Sequence, residues 1–283
     1  MQTLLAILDK TTEYFKKCGV PDARLDAQYI LAHGLKMKRL DLYLNFDRPL
    51  TDEELAALRP LVARRAKREP LQHVLGTTSF RGHEIVCDAR ALVPRPETEL
   101  LVDLLKERLP EPGGKLVCDI GTGTAALPIA IAKELGCKVH AVDISSDALA
   151  LARINVAAHG LESRISLYEG DLLQGLPAGE RYTALLSNPP YIPDADSILL
   201  EPEVRDHDPH LALFGGADGL VLIRRLLDGA AAVLISGAPI LIEIASGQEV
   251  LLEQEAGRWA ELRWCGAHAD YAGKMRFVEF VRR

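Results

Sequence analysis

After Pro112-Gly-Gly114, short apolar runs alternate with helical-period segments, and this rhythm narrows the possible folds more than any other feature of the chain. Residues 115–119 read as a strand, 125–135 as a helix and 138–142 as a strand. The pattern continues with a helix over 146–158, strands over 165–168 and 184–187, a helix over 219–234 and a strand over 239–244. Residues 261–264 and 275–281 read as a closing strand pair. A helix between successive strands calls for a mostly parallel sheet with helices on both faces, an α/β fold. A further helix is expected over 97–109, just after Pro94-Arg95-Pro96 marks a boundary.

The first seventy or so positions read differently. Leu4, Leu5, Leu8, Thr12 and Phe15 recur at helical spacing, and Gly19-Val-Pro21 ends that element. Helices follow over 23–35 and 40–43. Thr51-Asp-Glu-Glu54 is a capping box that opens a fourth helix, running to about 68, before Pro70. Its last turns carry Arg64, Arg65, Lys67 and Arg68. A solvated face is the plainer reading of that charge, and a docking surface for an RNA-like or acidic partner the sharper one. From Thr77 to Cys87, short β-like runs around Arg81-Gly82 predict a hairpin.

Composition excludes several classes. A 48% hydrophobic content over 283 residues supports a well-buried core. A formal net charge of −7 argues against a chain whose main work is gripping a nucleic-acid backbone. The five cysteines, Cys18, Cys87, Cys118, Cys137 and Cys265, are odd in number and lack paired spacing. That points to a reducing compartment without a disulfide framework or zinc site. The run from Met1 to Asp9 is too short for a signal peptide, and no stretch is long and apolar enough to span a bilayer. A soluble cytoplasmic protein is expected, with no metal, no membrane and no stable nucleic-acid binding.

Val117-Cys-Asp-Ile-Gly-Thr-Gly-Thr-Ala-Ala126 falls at a strand-to-helix turn, where open α/β sheets bind ligands. Gly121 and Gly123, on either side of Thr122, allow a tight turn and close approach to a ligand. The N–H groups of the following helix favour a negative group there. Asp143 ends the next strand, where a carboxylate would accept both hydroxyls of a ribose. Gly121, Gly123 and Ala126 also fit G-x-G-x-x-A, so the turn indicates a nucleoside-containing cofactor and leaves NAD and S-adenosylmethionine both open. Asp119 helps to choose, since it would repel a pyrophosphate but could pair with the ammonium of a methionine moiety. Asp171, in Glu169-Gly-Asp-Leu172, can accept from an adenine amino group with Leu172 against the ring face; the plainer reading is an acid capping the next turn. Acids at three successive strand ends favour S-adenosylmethionine.

Asn188-Pro189-Pro190-Tyr191 follows the strand that ends at Ser187. An Asn there offers one carbonyl acceptor and one amide donor at the mouth of a crevice. Neither proline has an N–H, and Pro190 holds Pro189 extended, so the Pro189 carbonyl can point outward. Beside the Tyr191 ring, these two acceptors form a receptor for a planar –NH2 group. His207-Asp-Pro-His210 lacks a third ligand at suitable spacing and reads as a loop with two polar histidines. Cys118 reads as a small core residue. Arg95 reads either as a helix-entry salt bridge or as a contact with the protein substrate or pocket, the second being favoured.

With these residues in place, the chain resembles the release factor glutamine methyltransferases (PrmC/HemK type), a family of class I S-adenosylmethionine-dependent methyltransferases. The resemblance spans nearly the whole length. It takes in Pro70-Leu-Gln-His-Val-Leu-Gly76, Leu92-Val-Pro-Arg-Pro-Glu-Thr-Glu99, the glycine turn and Asn188-Pro-Pro-Tyr191. Downstream it includes Glu203-Val-Arg205, Ala212-Leu-Phe-Gly-Gly216, Asp218-Gly219, Glu243-Ile244 with Gln248, and Asp270, Gly273 and Arg276. Pro-Arg-Pro-x-Thr-Glu ahead of this core is highly specific, whereas Asn-Pro-Pro-Tyr alone is shared with DNA-adenine and other amino methyltransferases. Three positions depart from the family: Ala125 and Ala245 stand where a Gly is usual, and His73 where a Tyr is. An Ala at 125 could loosen cofactor affinity if that position needs a positive φ.

The resemblance implies a Rossmann-like class I methyltransferase sheet with a small all-helical N-terminal domain and a β-hairpin linker. The expected divisions are 1–75, a helical substrate-recognition domain; 76–93, the linker; and 94–283, the methyltransferase domain. It implies methyl transfer from S-adenosylmethionine, giving S-adenosylhomocysteine, to the amide nitrogen (N5) of the glutamine in the Gly-Gly-Gln loop of class 1 peptide chain release factors. Asn188, Pro189 and Tyr191 would be catalytic. Asp119, Gly121, Thr122, Gly123, Asp143, Asp171, Leu172 and Asn188 would bind cofactor, and Asn188, Pro189, Pro190, Tyr191 and Arg95 substrate. The alternatives are DNA-adenine N6-methyl transfer, which Asn188-Pro-Pro-Tyr191 could support on a flipped base, and a non-catalytic factor that binds a translation protein.

Overall fold

The computed structural model describes residues 2–283, which divide into two compact units: residues 2–77 with 201–207, and 78–200 with 208–283. The first unit contains α1 (Leu4–Lys17), α2 (Ala23–Gly34), α3 (Asp41–Leu44), α4 (Asp52–Ala66) and α5 (Leu71–Leu75). It also holds the turn α9 (Pro202–Arg205), numbered by its place in the chain. Leu4, Leu8 and Phe15 of α1 bury against Ile30 and Leu31 of α2 and Leu58 of α4. The capping box forms: Glu54 N–H donates to the Thr51 hydroxyl at 3.2 Å, and Thr51 N–H to the Glu54 carboxylate at 2.9 Å.

The basic end of α4 is not simply a solvated face. Arg65 is buried and donates to Asp26 at 2.7 Å and to Glu203 at 2.8 Å. Arg68 donates to both carboxylate oxygens of Glu203 at 2.6 Å, and Arg64 pairs with Glu69. A fork-shaped guanidinium can serve several oxygens at once, and here it ties 201–207 to the helices. The sequence reading places that segment within 94–283, because its partners lie more than a hundred residues upstream.

The second unit opens on the hairpin of β1 (Thr77–Phe80) and β2 (His83–Val86), turning through Arg81 and Gly82 at φ 48° and 74°. A short 3₁₀ turn, Pro96–Glu99, leads into α6 (Leu100–Arg108), so the helix expected from 97 starts tighter than its periodicity implies. Then come β3 (Leu116–Ile120), α7 (Ala126–Glu134), β4 (Lys138–Asp143), α8 (Ser146–Ala158), β5 (Ile165–Glu169) and β6 (Leu185–Ser187). After α9, α10 (Val221–Val233), β7 (Pro239–Glu243), α11 (Gln248–Glu255), β8 (Leu262–Ala269) and β9 (Met275–Arg282) complete the chain. The sheet order is β5-β4-β3-β6-β7-β9-β8, with β9 antiparallel to both of its neighbours.

Both faces of this sheet are covered, which is why its strands are apolar throughout rather than alternating. Leu101 and Leu105 of α6 pack with Ile129 of α7 on one side. On the other, Ile223, Leu226, Leu227, Ala230 and Ala231 of α10 form an i, i+3, i+4, i+7, i+8 stripe. Each large side chain of that stripe contributes roughly 1.5–3 kcal/mol of transfer free energy. Strand order reverses between β3 and β6, and such a switch point opens a crevice at the carboxyl ends of the strands. The Ser187 hydroxyl pins the two strands there, donating to the Ile120 carbonyl at 2.6 Å. Among the described residues, no helix is long and apolar enough to cross a membrane.

Candidate active site

The crevice is a cleft of about 360 Å³. Its wall includes Asp119, Gly121, Thr122 and Gly123 from the end of β3, Asp143 from β4, Asp171 and Leu172 after β5, and Asn188 and Pro190 after β6. Arg95, Thr98 and Arg225 also line it. Ala125, the cap residue just before α7, has φ 63° and ψ 23°, so this turn does require the left-handed region and holds an L side chain there at a cost of about 1–2 kcal/mol. Leu172 is likewise left-handed, at φ 51°.

The acids divide into two electrostatic classes. Asp171 is already paired, since one of its oxygens accepts from Arg225 at 2.6 Å. Arg95 pairs with the buried Asp208 at 2.9 Å, so its partner lies far along the chain and not at the helix entry. Asp143 and Asp119, by contrast, form no ion pair among the described residues. Asp143 accepts from the N–H groups of Gly123 at 2.8 Å and Ser145 at 2.9 Å, one on each oxygen. Burial raises its pKa against the lowering effect of those backbone donors. Each oxygen keeps a second lone pair, so the carboxylate can still receive a diol. Because Asp143 already takes the Gly123 N–H, the glycine turn ahead of α7 is less free to hold an anion.

Asp119 is almost fully buried, and its Oδ2 has no hydrogen-bond partner. Burial, with the Asp143 carboxylate adding to it, pushes this carboxyl up to about 7. A buried carboxylate with one oxygen unpaired asks for a cation. A bound ammonium would satisfy it and a pyrophosphate would not. The residues present therefore fit a nucleoside that carries a cationic tail, with its diol on Asp143.

Asn188 is held by a chain of hydrogen bonds. Its Nδ2 donates to the Thr98 hydroxyl at 3.0 Å, and that hydroxyl donates to Glu243 Oε2 at 2.6 Å. Tyr191 OH donates to Glu243 Oε1 at 3.1 Å. With its Nδ2 engaged, Asn188 keeps Oδ1 as an open acceptor. Gln248 Nε2 donates to the Tyr191 carbonyl at 2.9 Å and the Asp218 carbonyl at 3.2 Å, which fixes the far end of the loop. Pro189 and Tyr191 are not on the cleft wall; Pro189 is buried, and the Tyr191 hydroxyl is directed to Glu243. No donor among the described residues bonds the Pro189 carbonyl.

Thr98, Glu243 and Gln248 received no role from sequence reasoning, although each stands in a motif that carries the family resemblance. An acid closing the apolar run of β7 was the available signal, of the same kind that marks Asp119 and Asp143.

The sheet order, the strand-end acids and the cleft at the switch point define a Rossmann-like methyltransferase. Residues 6–76 match the PrmC N-terminal domain and residues 96–201 the methyltransferase small domain. The release factor glutamine methyltransferase of Geobacter sulfurreducens is 43% identical over 247 residues, covering 87% of this chain and 85% of that protein. The protein of the same name from Deinococcus radiodurans is 40% identical over 280 residues, covering 98% and 97%. Among solved structures, a methyltransferase from Pyrococcus furiosus superposes with a TM-score of 0.56 at 21% identity, over 78% of this chain and 98% of that one. The chain belongs to the release factor glutamine methyltransferase family.

Proposed function

We propose that this protein transfers a methyl group from S-adenosylmethionine to the side-chain amide nitrogen (N5) of the glutamine in the Gly-Gly-Gln loop of class 1 peptide chain release factors, acting in the cytoplasm on translation termination. The observation that carries the reading is the fixed amide of Asn188, whose Nδ2 is taken by Thr98 and whose Oδ1 is left to accept. When bound, S-adenosylmethionine supplies an electrophilic methyl carbon on a sulfonium sulfur and leaves as S-adenosylhomocysteine. Asp119 would hold the ammonium, Asp143 the ribose hydroxyls, and Leu172 and Asp171 the adenine.

An amide nitrogen is a poor nucleophile, because its lone pair is delocalised into the carbonyl. Asn188 Oδ1 and the Pro189 carbonyl would each accept one N–H of the substrate, which orients the nitrogen and favours its pyramidal form. Tyr191 and Pro190 would bound the amide plane, and Arg95 the approach of the protein substrate. Orientation of this kind can supply roughly 7–11 kcal/mol of a barrier. No strong base is needed before attack, since the N–H becomes acidic only as the C–N bond forms; its proton then passes from the accepting oxygens to water.

The test is incubation with labelled methyl donor and, in parallel, intact release factor, release factor with its loop Gln replaced, and adenine-rich DNA. Label is expected in the intact release factor alone. Label in DNA would support base methylation instead, and label nowhere a binding role.

A further inference from the structure

We propose that Glu243 is a positioning residue: through the Thr98 hydroxyl, its carboxylate dictates which end of the Asn188 amide faces the substrate. The proposal deepens the proposed function and rests on that reading of Asn188. An ionised carboxylate only accepts hydrogen bonds. Thr98 and Tyr191, at 2.6 and 3.1 Å, therefore both direct their hydroxyl hydrogens at Glu243. The Thr98 oxygen then has only lone pairs to offer Asn188. At 3.0 Å, only the –NH2 end of the amide can face it. Oδ1 is turned outward, where an amide N–H can donate to it. The polarity of the whole chain is thus set at one buried acid.

If Glu243 becomes a carboxylic acid, that polarity is no longer forced. Its O–H can donate to Thr98, which frees the Thr98 hydrogen for Asn188 Oδ1. The amide can then turn over and present –NH2 to the substrate's own N–H groups, donor against donor. The groups facing Glu243 are the Thr98 and Tyr191 hydroxyls, the Arg276 guanidinium, which favours the carboxylate, and Glu97, which opposes it. Burial outweighs the rest and pushes the Glu243 carboxyl up to about 7. The chain is therefore poised to change polarity near neutral pH.

The experiment follows the side-chain amide resonances of Asn188 by ¹⁵N NMR in the full-length protein, from about pH 6 to about pH 8.5, a window spanning the Glu243 value. The wild type should show a transition near pH 7 that is absent in E243Q, whose neutral amide cannot titrate. No transition in the wild type, or the same transition in E243Q, overturns the proposal. Both results are read without substrate, so they stand apart from whether release factor is methylated, which tests the proposed function. Thr98→Val, which keeps shape and removes the hydroxyl, should lower kcat at saturating cofactor about a hundredfold. Thr98→Ser should restore most of it, and cofactor affinity should not change in either. Wild-type turnover in Thr98→Val would also overturn the proposal.

Discussion

If Asp119 pairs with the cofactor's ammonium, as proposed above, cofactor affinity should depend on pH by an amount that can be worked out. With its carboxyl at about 7, only about one molecule in eleven has Asp119 ionised at pH 6, and about half at pH 7. A methionine-type ammonium, with an ordinary value of about 7.8, is lost from the other side as pH rises. The fraction of encounters with both charges in place peaks near pH 7.4, at roughly one half, and drops to roughly a tenth at pH 6. Affinity should therefore fall about fivefold, or about 1 kcal/mol, on acidification from pH 7.4 to pH 6. Calorimetric titration with S-adenosylhomocysteine across that range reads both the dissociation constant and the proton released. Asp119→Asn should bind more weakly and lose the acid-side slope. A flat wild-type profile, or the same slope in Asp119→Asn, would refute the pairing of Asp119 with an ammonium. The linkage sign for folding is opposite in sense: a carboxyl whose value is raised in the folded state costs stability as pH rises from about 4 to about 7. Ligand-free protein should thus lose stability over that window, and bound ligand should offset the loss.

Asp143→Ala should weaken cofactor binding while leaving turnover at saturation nearly intact; an unchanged dissociation constant would remove Asp143 from the site. Gly219, at φ 76°, lies so close to the Tyr191 carbonyl that an added Cβ would overlap it. Gly219→Ala should therefore displace the Asn188–Tyr191 loop and lower kcat about a hundredfold, measured by methyl transfer at saturating substrates. Arg65→Ala leaves Asp26 and Glu203 without their shared buried partner. It should cost about 3–5 kcal/mol in a denaturant titration of the full chain, and a loss below about 1 kcal/mol would contradict the reading of this cluster as buried.

What could be read from the chain itself depended on how local the cause was. Alternating strands and helices, the capping box at Thr51 and the hairpin turn at Arg81-Gly82 are set by neighbouring residues, and the structure has each. The placement of Asp119 and Asp143 at the cleft was legible, because an acid at the end of an apolar strand stands out from its neighbours. The pairing of Thr98 with Glu243 was not, since their hydrogen bond spans 145 residues and exists only once the turn ahead of α6 packs against β7. The same holds for Arg65 and Glu203, 138 residues apart. Periodicity on α4 marks a charged face and carries no information about acids that arrive from a distant segment. Arg95 offered two readings, and its ion pair with Asp208 joins residues 113 apart. Ala125 shows the converse: its left-handed φ is imposed by the turn, against the local preference of an L residue.

The most direct measurement is a crystal structure of the protein with S-adenosylhomocysteine and a release factor whose loop glutamine is intact. The glutamine amide nitrogen should lie about 3 Å from both Asn188 Oδ1 and the Pro189 carbonyl oxygen, its face open toward the cofactor sulfur. An amide nitrogen seated elsewhere, or Asn188 presenting its –NH2 group to the substrate, would contradict the account.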